Sequence, residues 1–343
     1  MRRLRVLVVT DQKVTIPETI EGLSDKEIAP YKTEYDVISG LENLGHEVRL
    51  LCLVEDLGEL RETIRSWRPH IVFNLLEGFK GLGINMPYVV GYLELLNQPY
   101  TGCNPSGLLI ADNKPLMKKI LRYHRIPVPD FTVFPRGRAI RLPKRLTFPL
   151  IVKSATEHGS VGIAQASVVS SEEKLKERVA FVHETLGTDA VAEQYIDGRE
   201  IYAAVLGNRR TTVFPLREVR FENLPEGAPR IVTHKTKWDL DYQERVGFRT
   251  VAAEDVPPRT ERAIKRLCQR AYRILCLTGY ARMDVRVTAE GTVYLLEPNP
   301  NAELTYGEDF AEAAEAAGLD YETLLQRIID LGLRYKRDKV IVW

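Results

Sequence analysis

Short apolar runs alternate with amphipathic stretches along the first third of the chain. Leu4-Arg5-Val6-Leu7-Val8-Val9-Thr10 is a β-branched run of the kind buried on both faces of a parallel sheet. Residues 31–44 carry helical periodicity and end at Gly45, a glycine suited to the position just past a helix. His46-Glu47-Val48-Arg49-Leu50-Leu51-Cys52-Leu53 reads as a second strand and residues 57–67 as a short helix. Pro69-His70-Ile71-Val72-Phe73-Asn74 is a third strand, and residues 88–96 form a third helix. This order predicts an N-terminal doubly wound α/β domain. The polar segment 11–30, between the first strand and first helix, is long enough to be a substrate loop.

The pattern then changes. Residues 99–106 read as a turn-rich connection, followed by a helix opened by Asp112 or Asn113 as cap and running to about His124. Residues 126–131 are an extended linker, and Phe148-Pro149-Leu150-Ile151-Val152-Lys153 is a strand. Ala190-Val191-Ala192-Glu193-Gln194-Tyr195-Ile196 is another, and Asp197-Gly198 after it is a hairpin signal. Residues 221–250 look polar and irregular, and residues 258–277 form an amphipathic helix. Two apolar runs around Ala289-Glu290-Gly291 then predict a β-hairpin, and helices over 310–317 and 321–331 close the chain. The second half is antiparallel-rich.

Composition narrows the classes. A chain of 343 residues suggests two or three domains. Lys+Arg at 48 against Asp+Glu at 47 gives no basic excess, which argues against a general nucleic-acid partner. No apolar run is long enough to span a bilayer, and the start leads straight into a strand, so a cytoplasmic protein is expected. The four cysteines form no CxxC pair and are expected as buried free thiols in a reducing compartment. A homodimer stays open. No GxGxxG follows the first strand and no GxxxxGK[ST] occurs, which sets aside a dehydrogenase and a Walker-type nucleotide site.

Candidate chemistry concentrates in the last hairpin. Glu297 and Asn299, two apart, leave one face of a strand, and Asp284 on the partner strand can share it. Buried carboxylates are costly unless paired or metal-bound. They could hold Mg²⁺ with a nucleotide, since Mg²⁺ prefers one or two carboxylates plus phosphates. They could equally pair with Arg282 or Arg286 at a solvated edge. Lys153 ends a strand, and the Gly-rich Ser154-Ala155-Thr156-Glu157-His158-Gly159-Ser160-Val161-Gly162 follows it. Such a loop can turn backbone N–H groups onto phosphates, or be an ordinary hairpin turn beside surface lysines.

Taken in order, these pieces resemble the ATP-grasp superfamily, closest to the D-alanine–D-alanine ligases, over nearly the whole chain. They are Gln98-Pro99-Tyr100-Thr101-Gly102, Asp112-Asn113-Lys114, Val152-Lys153 with Gly159-Ser160-Val161-Gly162, Glu193-Gln194-Tyr195-Ile196-Asp197-Gly198-Arg199-Glu200, Arg282-Met283-Asp284 and Leu296-Glu297-Pro298-Asn299. The resemblance implies an ATP-grasp fold: an N-terminal α/β domain over 1–108, a linker helix and lid over 109–195, and an antiparallel catalytic subdomain over 196–343. It implies an ADP-forming ligase that activates a small-molecule carboxylate as an acyl phosphate and passes it to an amine. Lys114 and Lys153 resemble the phosphate lysines, and Gly159, Ser160 and Val161 the phosphate cover. Glu193 resembles the residue that accepts from the adenine amino group, Tyr195 and Ile196 the hinge contacts, and Glu200 the ribose carboxylate. Lys237 resembles the lysine near the γ-phosphate, with Trp238 where an aromatic is frequent, and Arg282 the arginine on the transferred phosphoryl. Asp284, Glu297 and Asn299 resemble the ligands of two Mg²⁺ ions, for which Mn²⁺ is a substitute, with Glu297 bridging.

Where the family holds its amino acids, the sequence departs. The family's His-Gly and Gly-Glu-Asp-Gly are replaced by Leu75-Leu76-Glu77-Gly78-Phe79-Lys80-Gly81-Leu82-Gly83-Ile84. The first-strand loop lacks the family's Gly-Gly. Its Pro-Gly-Met-Thr and later serine are replaced by Asn301-Ala302-Glu303-Leu304-Thr305-Tyr306-Gly307-Glu308. The expectation is therefore a ligase whose substrate is not simply D-alanine, with a true D-alanine–D-alanine ligase as the alternative. A catalytically silent ATP-binding module is the alternative of another class.

Overall fold

A computed structural model describes residues 2–12, 14–17 and 19–337. The N-terminal sheet is parallel, in the order β2-β1-β3, with β1 Arg5–Thr10, β2 Glu47–Cys52 and β3 Ile71–Asn74. Its middle strand is apolar at every other position on both faces because each face meets a different core. Val6 and Val8 pack with Val37, Leu41 and Ile328, whereas Leu7 and Val9 pack with Leu60, Val89 and Leu93. The closing helix Tyr321–Arg334 thus returns to the start of the chain. It lies so close that a Cβ on Gly332 would sit 2.3 Å from the Tyr100 carbonyl oxygen.

A second, antiparallel sheet follows the order β4-β7-β5-β6: β4 Phe131–Phe134, β5 Leu150–Ser154, β6 Val168–Val169 and β7 Ala190–Gln194. One face buries Phe134, Leu150, Val152 and Ala192 under Leu175 and Val179 of helix Glu172–Phe181. The other presents Ile151, Lys153 and Glu193 to a cleft. The third sheet runs β11-β10-β8-β12-β13, with β9 Thr211–Val213 paired to β8. Its strands are β8 Arg199–Gly207, β10 Arg217–Phe221, β11 Phe248–Ala252, β12 Tyr280–Val287 and β13 Val293–Pro300. Ala281, Met283 and Val285 bury against Cys268, Ala271 and Tyr272 of helix Pro258–Ile274, while Arg282, Asp284 and Arg286 look into the cleft.

Three local expectations are corrected. Asp197-Gly198 closes no hairpin, because β7 and β8 belong to different sheets. The dipeptide is the crossing point between sheets, and Gly198 is needed there: φ is 146° and a Cβ would fall 2.2 Å from the Val287 carbonyl oxygen. The connection at 99–106 already contains the start of helix Pro105–Asp112, capped by Asn104. Asn113, not Asp112, caps the next helix, Lys114–Tyr123, accepting from Leu116 N–H at 2.9 Å. Segment 221–250 is not irregular throughout, since it holds helices His234–Trp238 and Leu240–Val246 and strand β11, with caps at Thr233 and Asp239. All four cysteines are free, Cys103 and Cys268 buried and Cys52 and Cys276 half-buried. Among the described residues no helix is long and apolar enough to cross a membrane.

Candidate active site

The hairpin β12–β13 is the floor of a cleft of about 1130 Å³ between the second and third sheets. Arg282 lies opposite Asn299 and Asp284 opposite Glu297, but Val285 pairs with Leu295. Leu296 is the extra residue of a β-bulge. Regular alternation through Val293 and Leu295 would carry Glu297 and Asn299 into the core. The bulge shifts the phase by one, so Pro298 is buried and Glu297 and Asn299 line the cleft beside Asp284.

The two carboxylates of the floor are driven in opposite directions. Arg282 grips Asp284 bidentately, Nε to Oδ1 at 2.8 Å and a terminal nitrogen to Oδ2 at 3.0 Å, and Asn299 Nδ2 donates to Oδ2 at 2.9 Å. Burial nonetheless pushes the Asp284 carboxyl up to about 6, with Glu297 and Glu200 adding to the rise against Arg282. Burial also acts on Glu297, but Lys114, Lys153, His158 and Lys118 together hold its carboxyl down to about 2. The Arg282 guanidinium lies 4.0 Å from the Tyr202 ring centroid, and a terminal nitrogen is 3.6 Å from Asp309 Oδ2.

The lysines come from two elements. Lys114, at the first turn of its helix, stands 3.7 Å from Glu297 and donates to the Glu157 carbonyl at 2.6 Å. Lys153 on β5 stands 3.7 Å from Glu193 Oε2. A third lysine escaped the sequence reading. Lys118 is fully buried, 3.3 Å from Glu193 Oε1, and donates to the Leu296 carbonyl of the bulge at 3.1 Å. The available signal was its place four residues after Lys114, on the same face of the helix. Glu193 is thus wedged between two lysines with 1% of its surface exposed. At the crossing, Tyr195 N–H donates to the Pro149 carbonyl at 3.1 Å and Arg286 donates to the Ile196 carbonyl at 3.0 Å. Arg286 also holds Glu200.

The loop after β5 is shaped by three left-handed residues, Gly159, Ser160 and Gly162. Ser154 Oγ gathers the N–H groups of Thr156 and Glu157 at 3.3 and 3.0 Å. The loop is fastened to the segment before β11. Trp238 Nε1 donates to the Gly159 carbonyl at 3.2 Å, Ser160 Oγ to the Val232 carbonyl at 3.2 Å, and His234 N–H to the Ile163 carbonyl at 2.9 Å. Val161 and Lys237 line the same cleft.

The far end of the cleft is bounded by Lys32, Thr33, Glu303, Thr305 and Glu308. Thr305 Oγ1 donates to Glu303 at 2.9 Å, and Lys32 is tied to Asp36 at 2.6 Å. Partial burial beside Glu303 and Asp309 raises the Glu308 carboxyl to about 7.

The family pattern described as the D-Ala D-Ala ligase C-terminus matches residues 120–330. A D-alanine–D-alanine ligase of Desulforudis audaxviator is 31% identical over 317 residues, covering 90% of this chain and 95% of that protein. The uncharacterized protein y4sG of Sinorhizobium fredii is 30% identical over 305 residues, covering 87% of this chain and 86% of that one. Among solved structures, the D-alanine–D-alanine ligase of Bacillus anthracis in complex with ATP aligns over 97% of this chain and 98% of its own, with a TM-score of 0.75 at 24% identity.

Proposed function

Because the chain belongs to the D-alanine–D-alanine ligase family of ATP-grasp enzymes and is an ADP-forming carbon–nitrogen ligase, we propose that it joins a small-molecule carboxylate to an amine through an acyl phosphate formed in this cleft. The observation that carries the reading is the pair of oppositely driven carboxylates, Asp284 held by Arg282 and Glu297 by lysines, beneath a Gly-rich loop. Asp284, Glu297 and Asn299 fit a Mg²⁺ site of the kind completed by phosphates. With Asn299 Nδ2 on Asp284, its Oδ1 is left as a hard ligand atom. Among the described residues no group of three or more His, Cys, Asp or Glu is placed to hold a metal by itself. In the finer form of this reading these three residues would hold two ions, Mg²⁺ or Mn²⁺.

Bound metal–ATP would supply the phosphoryl group and the charge that shields it. The protein's own part is positioning and charge neutralisation. Lys114 and Lys153 take the phosphates, and the backbone of Gly159, Ser160 and Val161 covers them. Ser160 acts through its main chain, since its hydroxyl is committed to Val232. The main chain at Tyr195 and Ile196 meets the adenine edge. Glu193 accepts from the adenine amino group and, with its carboxylate between Lys118 and Lys153, also sets the position of Lys153. Glu200, oriented by Arg286, takes the ribose. Arg282 and Lys237 stabilise the transferring phosphoryl group. The lid over 109–195 pivots at the crossing and shuts water away from the acyl phosphate.

The relatives' names put D-alanine first as the substrate of both positions. A second reading is favoured by Glu303 and Glu308, which line the far end of the cleft in the segment that replaces the family's Pro-Gly-Met-Thr: the acceptor is an amine without a free carboxylate, or a cation. One assay decides. Purified protein is given metal–ATP with D-alanine alone, then with amino acids, diamines and peptides, while ADP is measured and products are weighed by mass spectrometry. D-Alanyl-D-alanine as the one efficient product overturns the second reading. AMP and pyrophosphate in place of ADP would overturn the first.

A further inference from the structure

His158 lies inside the Gly-rich loop, between Glu157 and Gly159, and lines the same cleft as Lys114 and Lys153. Its Nε2 is 3.2 Å from Oδ1 of Asp112, the last residue of helix Pro105–Asp112. Asp112 is 7% exposed. The contact is close without being aligned as a hydrogen bond. His158 Nε2 and Asp112 Oδ2 are both buried atoms with no hydrogen-bond partner. A buried carboxylate left this way is costly unless a cation completes it. Charged groups face the loop from several elements: Asp112, Lys114, Lys153 on β5, Arg178, which donates to the Gly162 carbonyl, Glu297 on β13, and Lys237, whose Nζ is 3.9 Å from where a Gly159 Cβ would be. His158 is among the cations that hold the Glu297 carboxyl low, which places it over the same floor as the lysines.

We propose that His158 is a third polyphosphate-binding side chain of the cleft beside Lys114 and Lys153, an imidazole clamped between Asp112 and the nucleotide's phosphates. The inference rests on the nucleotide reading above and deepens it. With Asp112 on one side and phosphate oxygens on the other, each ring nitrogen faces one neighbour. Asp112 acts through His158 as a positioning residue. It fixes the ring as the loop closes, and the two orphaned atoms gain their alignment at that moment.

The test is equilibrium binding of Mg-ADP, read by titration calorimetry and by Trp238 fluorescence. Trp238 reports because it is hydrogen-bonded to the Gly159 carbonyl. His158→Gln should bind about tenfold more weakly than wild type, the loss of one strong contact, and should match wild type in binding adenosine, which has no phosphates. His158→Lys should keep affinity for Mg-ADP, because a cation then stands in the same place. Asp112→Asn should weaken binding less. Wild-type affinity for Mg-ADP in His158→Gln overturns the proposal while leaving the nucleotide reading intact. Failure of the wild type to bind Mg-ADP would instead strike that reading itself.

Discussion

At the end of the cleft beneath the Gly-rich loop, charges are compensated one by one. Asp284 has Arg282, Glu297 has Lys114, Glu193 has Lys118 and Lys153, and Glu200 has Arg286. At the far end, Glu303 and Glu308 stand exposed, and the lysine beside them is taken by Asp36. The contrast is one of degree. A carboxylate fully withdrawn from water needs a partner, whereas Glu308, only partly withdrawn, answers its like-charged neighbours by a raised carboxyl. The compensated end can recognise one fixed ligand and tolerates little change. The far end, with two carboxylates and no cation of its own, offers no such fixed set of partners.

The contrast breaks most sharply at Glu297. Glu297→Gln keeps the shape and removes the charge that Lys114 and Lys153 face. Turnover should fall by about a thousandfold or more, with the fold intact by circular dichroism, if the carboxylate fixes metal geometry. ADP release at saturating ATP is the measurement. Turnover within a few fold of wild type would mean that the site lies elsewhere.

Lys118 probes the same end through stability. Lys118→Met removes a buried cation and leaves Glu193 with Lys153 alone, at 3.7 Å. Breaking one side of a buried pair costs about 3 kcal/mol. Denaturant midpoints should show that loss, and the double variant Lys118→Met/Glu193→Gln should recover part of it. Equal losses in the single and double variants would show that the two do not interact. Lys118 also donates to the Leu296 carbonyl, so the variant loosens the bulge, and nucleotide affinity should fall with stability.

These two residues also mark how far the sequence could be read. The parallel strands were legible because both faces are buried and the apolar run is continuous. The carboxylates of the hairpin were legible as a set, since Asp284, Glu297 and Asn299 do share a face. That they share it through an extra residue was not, because nothing local to the hairpin marks Leu296, whose carbonyl meets Lys118 from a helix far away in sequence. Asp197-Gly198 misled for a similar reason. The dipeptide fits a hairpin locally, but the partners of β7 and β8 are chosen by strands far away in sequence. Resemblance to a family supplied the order of motifs, and it stopped where the acceptor end begins.

The uncompensated end yields a smaller effect, and its sign follows from Glu308. Its carboxyl is raised to about 7 from 4.5, through partial burial beside Glu303 and Asp309. The folded protein therefore favours the protonated form. The stability this contributes is complete below pH 4.5 and is lost as pH rises through about 7. Glu308→Gln, a mimic of the protonated acid, should match wild type near pH 4.5 and exceed it at pH 8. Glu308 is exposed, so screening by water reduces the gain to about 1 kcal/mol. Urea midpoints at the two pH values measure it. At pH 8 a diamine should stabilise wild type more than the variant if this end receives a cationic acceptor, since the ligand then relieves a repulsion the variant lacks. A variant no more stable than wild type at pH 8 would show that Glu303 and Asp309 do not strain Glu308. The case for an acceptor other than D-alanine would then lose its electrostatic footing.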